Sequence, residues 1–176
     1  MARRSGMNFK PLKEFRLGIG NDARAMREAY NNWGLFYLAF TKRRFKNFSR
    51  GGGNWKKLSD ATIARRKKPK KGKKKKRGAE LTAILRDNST LFNALSVGVR
   101  GNLFKSIPGG IRVGFAPTPH PKARVTIQRL AIIHDSGDGV PKREILVEPD
   151  GTTKRRMIKE YKKALAKLGK QAERKL

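Results

Sequence analysis

The chain has 176 residues, 44 of them Lys or Arg and 13 Asp or Glu, for a net charge of +31. That length holds one domain with arms, and a hydrophobic content of 37% limits it to a modest core. Without cysteine, disulfides and thiolate metal sites are excluded, and no apolar run approaches the roughly 18 residues of a membrane span.

The first stretch, MARRSGMNFKPLKEF, is charged but lacks the apolar segment of a signal peptide, so a soluble protein made in a cytoplasm is expected. Residues 1–20 read as an N-terminal arm, with Phe9, Leu12, Phe15 and Leu17 as scattered anchors and Gly18 and Gly20 breaking the run. Such an arm can cap its own domain or reach a neighbour. Residues 21–176 are expected to form a single α+β domain: a small antiparallel sheet packed by a long N-terminal helix and a C-terminal helix.

Residues 22–48 carry the clearest helical period. Met26, Tyr30, Trp33, Tyr37 and Phe40 fall on one face, and Asn21 or Asp22 can cap its start. Leu35, Phe36 and Leu38 extend the apolar surface to other faces. A helix apolar nearly all round is buried on several sides. This fits either a central core helix or one that also meets a neighbouring subunit. Tyr30, Trp33, Phe36, Tyr37 and Phe40, with the arm 1–20, are therefore the candidate subunit interface. Gly51, Gly52 and Gly53 end the helix, and Ser59 can cap a short one within residues 54–64.

A Lys/Arg-rich insertion follows at about residues 65–80. Arg65, Arg66, Lys67, Lys68, Lys70, Lys71, Lys73, Lys74, Lys75, Lys76 and Arg77 crowd into thirteen positions with Pro69 and Gly72. Nothing there can bury apolar surface, so it reads as a loop disordered in isolation. It is the candidate contact for a polyanion or an acidic partner, acting by charge and weakening steeply with salt. Without these eleven charges the chain still carries +20, so the basicity is global.

A turn is expected at Asp87–Asn88–Ser89, then a short helix capped by Thr90 with Leu91, Phe92 and Leu95. The period then shifts to two. A hairpin is expected between residues near 95–100 and those near 111–116, with the turn-rich 102–110 between them. Ile127, Leu130, Ala131 and His134 mark another helix stopped by Gly137 and Gly139. Ile145–Leu146–Val147 read as a third strand. Thr152 or Thr153 can cap the last helix, whose face is Met157 or Ile158, Tyr161, Leu165 and Leu168.

The sequence offers little chemistry. His134–Asp135–Ser136 holds the residue types of a hydrolytic triad, but adjacent residues cannot adopt the nucleophile–base–orienter geometry. His120 and His134 are the whole histidine complement, and the carboxylates are too scattered for a metal or a nuclease centre. No phosphate-cradling glycine motif is present. The expectation is a non-enzyme without cofactor or metal. Aromatics do not interleave with the basic tract, which argues against base stacking.

The order of short motifs from Phe45 onward resembles the phage virion morphogenesis family of Mu-like phages, the tail-completion or neck type. The pieces are Arg43–Arg44–Phe45, then Trp55 with Leu58–Ser59–Asp60–Ala61–Thr62, then Ile84–Leu85–Arg86–Asp87 with Leu91. Val113–Gly114, Ile133–His134 with Gly137, and Val140–Pro141–Lys142–Arg143 complete the set. The resemblance spans about residues 22–168 and rests on the order of the pieces rather than on any single one. The chain departs from the family pattern at Asn88–Ser89–Thr90, in the enlarged basic insertion and in the length of 117–126. The resemblance implies a structural virion protein, assembled in the host cytoplasm, that forms a ring at the head–tail junction. Implied partners are identical subunits in a six-membered ring, adjacent head–tail connector and tail proteins, and packaged DNA, with no membrane. The alternative reading, favoured by charge alone, is a non-catalytic nucleic-acid-binding protein acting through its basic surface.

Overall fold

The computed structural model describes residues 15–17, 24–68, 82–86 and 89–173. The fold is α+β, and its centre is helix α1, Arg24–Ser49. One side of α1 lies on a small antiparallel sheet and another meets the C-terminal helix α5, Gly151–Glu173. The sheet holds β1 (Phe15–Leu17), β2 (Asn102–Ile107) and β3 (Gly110–Phe115) in the order β1-β3-β2. Short helices α2 (Asp60–Lys67), α3 (Thr90–Asn93) and α4 (Ile127–Ser136) complete the described elements.

Local chemistry explains most boundaries. The α1 C-terminus closes with the amides of Gly51 and Gly52 on the carbonyls of Phe48 and Asn47, at 3.1 Å each. This double bond requires a left-handed residue after the helix, and Gly51 supplies it at φ +90°. Ser59 accepts the amide of Thr62 to start α2, and Thr126 accepts that of Arg129 to start α4. Gly137, at φ +81°, ends α4. Asp150 accepts the Thr153 amide at 2.7 Å and opens α5, ahead of Thr152 and Thr153, the threonines expected to do so. The expected cap at Asn21 or Asp22 and the turn at Asp87–Asn88 lie outside the described residues.

Helix α1 approaches the sheet closely because Gly34 has no side chain. A Cβ there would stand 2.7 Å from Phe104 Cε2 and 2.8 Å from Ile111 Cδ1. Ile111, Val113 and Phe115 of β3 are fully buried beneath the helix. On the α5 side, Trp33 Nε1 donates to the Met157 carbonyl at 2.5 Å, and the rings of Trp33 and Tyr161 lie 6.0 Å apart.

Several expected positions are corrected. The first hairpin strand is 102–107, not 95–100. Residues 96–102 form successive turns, with Val99 N bonded to Ser96 O and Asn102 N to Val99 O. The Val97-Gly98-Val99 alternation is no buried face, because both valines are exposed and Gly98 takes φ +77°. The hairpin turns on Pro108–Gly109, with Phe104 opposite Val113. Ile145–Val147 is not a strand. The third strand comes from the arm instead, as Phe15–Leu17 pairs with Ile111–Val113. On α5 the inward line is Thr153, Met157, Tyr161, Ala164 and Leu168, while Ile158 and Leu165 point outward at 52% and 45% exposure.

Candidate functional site

The densest polar constellation surrounds the extended segment 141–150, which runs from α4 to α5. Its peptide groups have no strand partner and are bonded by side chains instead. Asp135 Oδ1 accepts the Ile145 amide at 3.3 Å. Arg44 donates to the carbonyls of Glu144 and, at 3.4 Å, Ile145. Trp55 Nε1 reaches Glu144 O at 3.3 Å, and Tyr37 Oη reaches Val147 O at 3.1 Å. Arg143 is buried: its amide meets His134 O at 2.6 Å, and its guanidinium meets Pro141 O and Lys56 O at 3.4 Å each. This explains why an apolar Ile-Leu-Val run is not a strand. Buried peptide groups need partners, and here α1, Trp55 and α4 supply them.

The electrostatics follow from burial. The Tyr37 phenol is pushed above its ordinary range by loss of water. Burial also holds the His134 imidazole down to about 4, with the Arg143 guanidinium adding to the effect. The Asp135 carboxyl is raised by burial, against the opposing bond from the Ile145 amide. Glu144 is lowered by its hydrogen bond to Lys142, which is raised in turn. His134 therefore stays neutral at pH 7, and its buried Nδ1 has no hydrogen-bond partner.

His134, Asp135 and Ser136 turn to different tasks, as adjacency on a helix demands. Ser136 Oγ donates back to the carbonyls of Ile132 and Ile133, while Asp135 serves Ile145. No nucleophile–base bond links them. His120 lies far along the chain in a loop closed by the Pro119–Thr126 bridge, and its Nδ1 accepts the Lys122 amide at 3.1 Å. Among the described residues no three His, Asp or Glu side chains gather to hold a metal ion, and no helix is long and apolar enough to cross a membrane.

Of the expected interface residues, Tyr30, Tyr37 and Phe40 are buried in the chain's own core and present no surface to a neighbour. Their rings are consumed by packing under the sheet and α5, which is the central-helix reading of the apolar pattern. Trp33 and Phe36 are half-buried against that core. Of the basic tract, Lys70 to Arg77 lie outside the described residues. Arg65, Arg66 and Lys67 form the last turn of α2 rather than a loop, and Arg66 donates to the Ala83 carbonyl at 2.7 Å. Arg65, Lys67 and Lys68 are exposed.

The sequence sets Arg44, Trp55 and Arg143 in the motif series without a role, because each spends its donors on backbone groups far away in the chain. The faces of the last helix off its apolar stripe read as mostly Lys and Arg in the sequence, and the structure turns Arg155, Arg156, Lys159 and Lys162 outward. Protein-family models, curated proteins and solved structures all give no match to this chain.

Proposed function

We propose that the chain is a structural subunit of a tailed-phage virion, a neck or tail-completion protein that closes into a ring at the head–tail junction. The observation that carries this reading is a convergence. Arg44, Phe45, Trp55, His134 and Arg143 come from four separate pieces of the motif series, and all of them meet around the segment 141–147. Phe45 packs edge-on to Trp55 at 5.1 Å, and Trp55 in turn bonds the segment. Motifs that share one structural purpose are expected to gather in one place. Here they gather to hold backbone, which is the work of a scaffold rather than of a reaction centre. Six copies follow from the symmetry of tails and from the need for a closed interface that does not propagate.

With Tyr30, Tyr37 and Phe40 consumed inside the subunit, ring contacts must come from elsewhere. Leu35, Val97 and Val99 are exposed apolar side chains able to serve. A reconstruction of the intact particle tests the proposal. It is expected to place this chain in a ring between head and tail, and a particle without such density, or with isolated copies, rejects it.

A further inference from the structure

The outer face of α5 carries a charge pattern that neither the core nor the motif series uses. From Lys154 to Lys170 the helix bears eight Lys and Arg and a single acidic residue, Glu160. Glu160 is turned to the inward shoulder, where it bonds Asn32 at 3.0 Å and Lys163 at 2.7 Å. Lys154 is paired with Glu148, and Lys167 with Glu28. Arg155, Arg156, Lys159, Lys162 and Lys170 are exposed and have no ion pair among the described residues. Arg155, Lys159, Lys162 and Lys163 line a shallow open groove with Ile158 and Ala166. Helical spacing puts Arg155, Lys159, Lys162 and Lys170 along one side over about 22 Å of axis.

We propose that this face is a sequence-independent binding surface for the phosphate backbone of duplex nucleic acid. A duplex presents one negative charge per about 1.7 Å, so 22 Å of helix can face a continuous row of phosphates. A folded acidic protein seldom sustains so dense a row, because like charges at that spacing repel. A membrane surface is a poor match, since an interfacial helix needs an apolar face. The apolar stripe of α5 is spent on α1, through Met157, Ala164 and Tyr161, and the outward side keeps only Ile158 and Leu165 as large apolar side chains, set among cations. Base readout is also excluded from the proposal. The outward positions hold no aromatic, and Tyr161 is committed to Trp33. Phosphate contact fixes position without reading sequence. The inference rests on this helix alone and stands apart from the ring reading.

The test uses the full chain and a mixed-sequence duplex of about 25 base pairs, titrated from low to moderate salt. Lys159→Gln with Lys162→Gln removes two contacts from an exposed face, and Lys46→Gln with Lys57→Gln removes the same charge from α1 and the following loop. Each phosphate contact adds about 0.9 to the slope of log affinity against log salt. The α5 pair is expected to reduce that slope by about 1.8 and the affinity at 0.1 M salt by about sixty-fold, while the control pair leaves both unchanged. Equal losses from both pairs overturn the proposal in favour of a diffuse basic surface. Unchanged DNA binding by the α5 pair, with lost binding to vesicles of anionic lipid or to poly-glutamate, overturns it in favour of those partners.

Discussion

Acidification from pH 7 to pH 5 is expected to cost this protein about 1 kcal/mol of stability through one side chain, His134. Its imidazole sits in the last turn of α4 with Nδ1 buried and unpartnered beside the Arg143 guanidinium. Burial first, and Arg143 second, hold it to about 4 in the folded chain, against 6.5 for an ordinary histidine. Between those values the unfolded chain takes up a proton and the folded chain does not. Stability is therefore complete above 6.5 and is lost as pH falls towards 4. By pH 5 the difference between the two protonation curves amounts to about 2 kcal/mol, and solvent reaching the ring reduces it to about 1 kcal/mol. Asp135 acts in the opposite sense. Its raised carboxyl adds stability as pH falls through its folded value towards 3.8. Glu144, Asp150 and Glu160, all held low, lose their contributions mostly below pH 5. His120, also lowered, adds in the same sense as His134, so the measurement is a comparison. Urea unfolding of wild type and His134→Gln at pH 7 and pH 5, at one protein concentration, gives the difference. Wild type is expected to lose about 1 kcal/mol more than the variant, and equal losses refute the argument.

Asp135→Ala leaves the buried Ile145 amide without its acceptor and is expected to cost about 1–3 kcal/mol in urea unfolding, with faster hydrogen exchange at Ile145. Asp135→Asn keeps an acceptor and sheds the buried charge, so it is expected to remain near wild type at pH 7. Gly34→Val drives side-chain atoms into Phe104 and Ile111 and is expected to cost about 1–3 kcal/mol, read as a lowered Tm. Thr126→Ala removes the α4 cap on the Arg129 amide and is expected to cost about 1 kcal/mol by the same measurement.

The helices were legible because their signals are local. The step of Met26, Tyr30, Trp33 and Tyr37, the cap at Ser59 and the stop at Gly137 are all written within a few residues of where they act. The sheet was less legible. Its strand β2, Asn-Leu-Phe-Lys-Ser-Ile, is half polar because one side lies over α1, where Ser106 bonds Asn31, and the other is open. The nearby Val-Gly-Val therefore looked more strand-like than the strand itself. The segment 141–150 was illegible for a different reason. An apolar extended run predicts a ladder, and nothing in the run reveals that Arg44, Trp55 and Asp135, ten to about a hundred positions away, take up its peptide groups. The burial of Tyr30, Tyr37 and Phe40 turns on the same point, since an all-round apolar helix gives no sign of whether its second face meets the same chain or another.

Charge and assembly make opposing demands on the proposed ring. Every added copy brings a further +31, and the positive face of α5 is already short of counter-charge within its own subunit. A folded chain of this length has a radius of gyration of about 16 Å, so adjacent centres in a ring stand some 35 Å apart. At 0.01 M salt the screening length is about 30 Å, and repulsion then acts across the whole subunit; at 0.15 M it is about 8 Å, and only touching surfaces feel it. Light scattering across that range is therefore expected to show small species at low salt and larger ones as salt rises. Short duplex DNA at low salt is expected to restore the larger species, because phosphates lying along Arg155, Lys159 and Lys162 neutralise the charge that keeps copies apart. The Lys159→Gln, Lys162→Gln pair is expected to assemble at lower salt than wild type and to gain less from DNA. An assembly that is largest at the lowest salt and falls apart on adding it requires an interface made of ion pairs, and contradicts a ring closed through Leu35, Val97 and Val99.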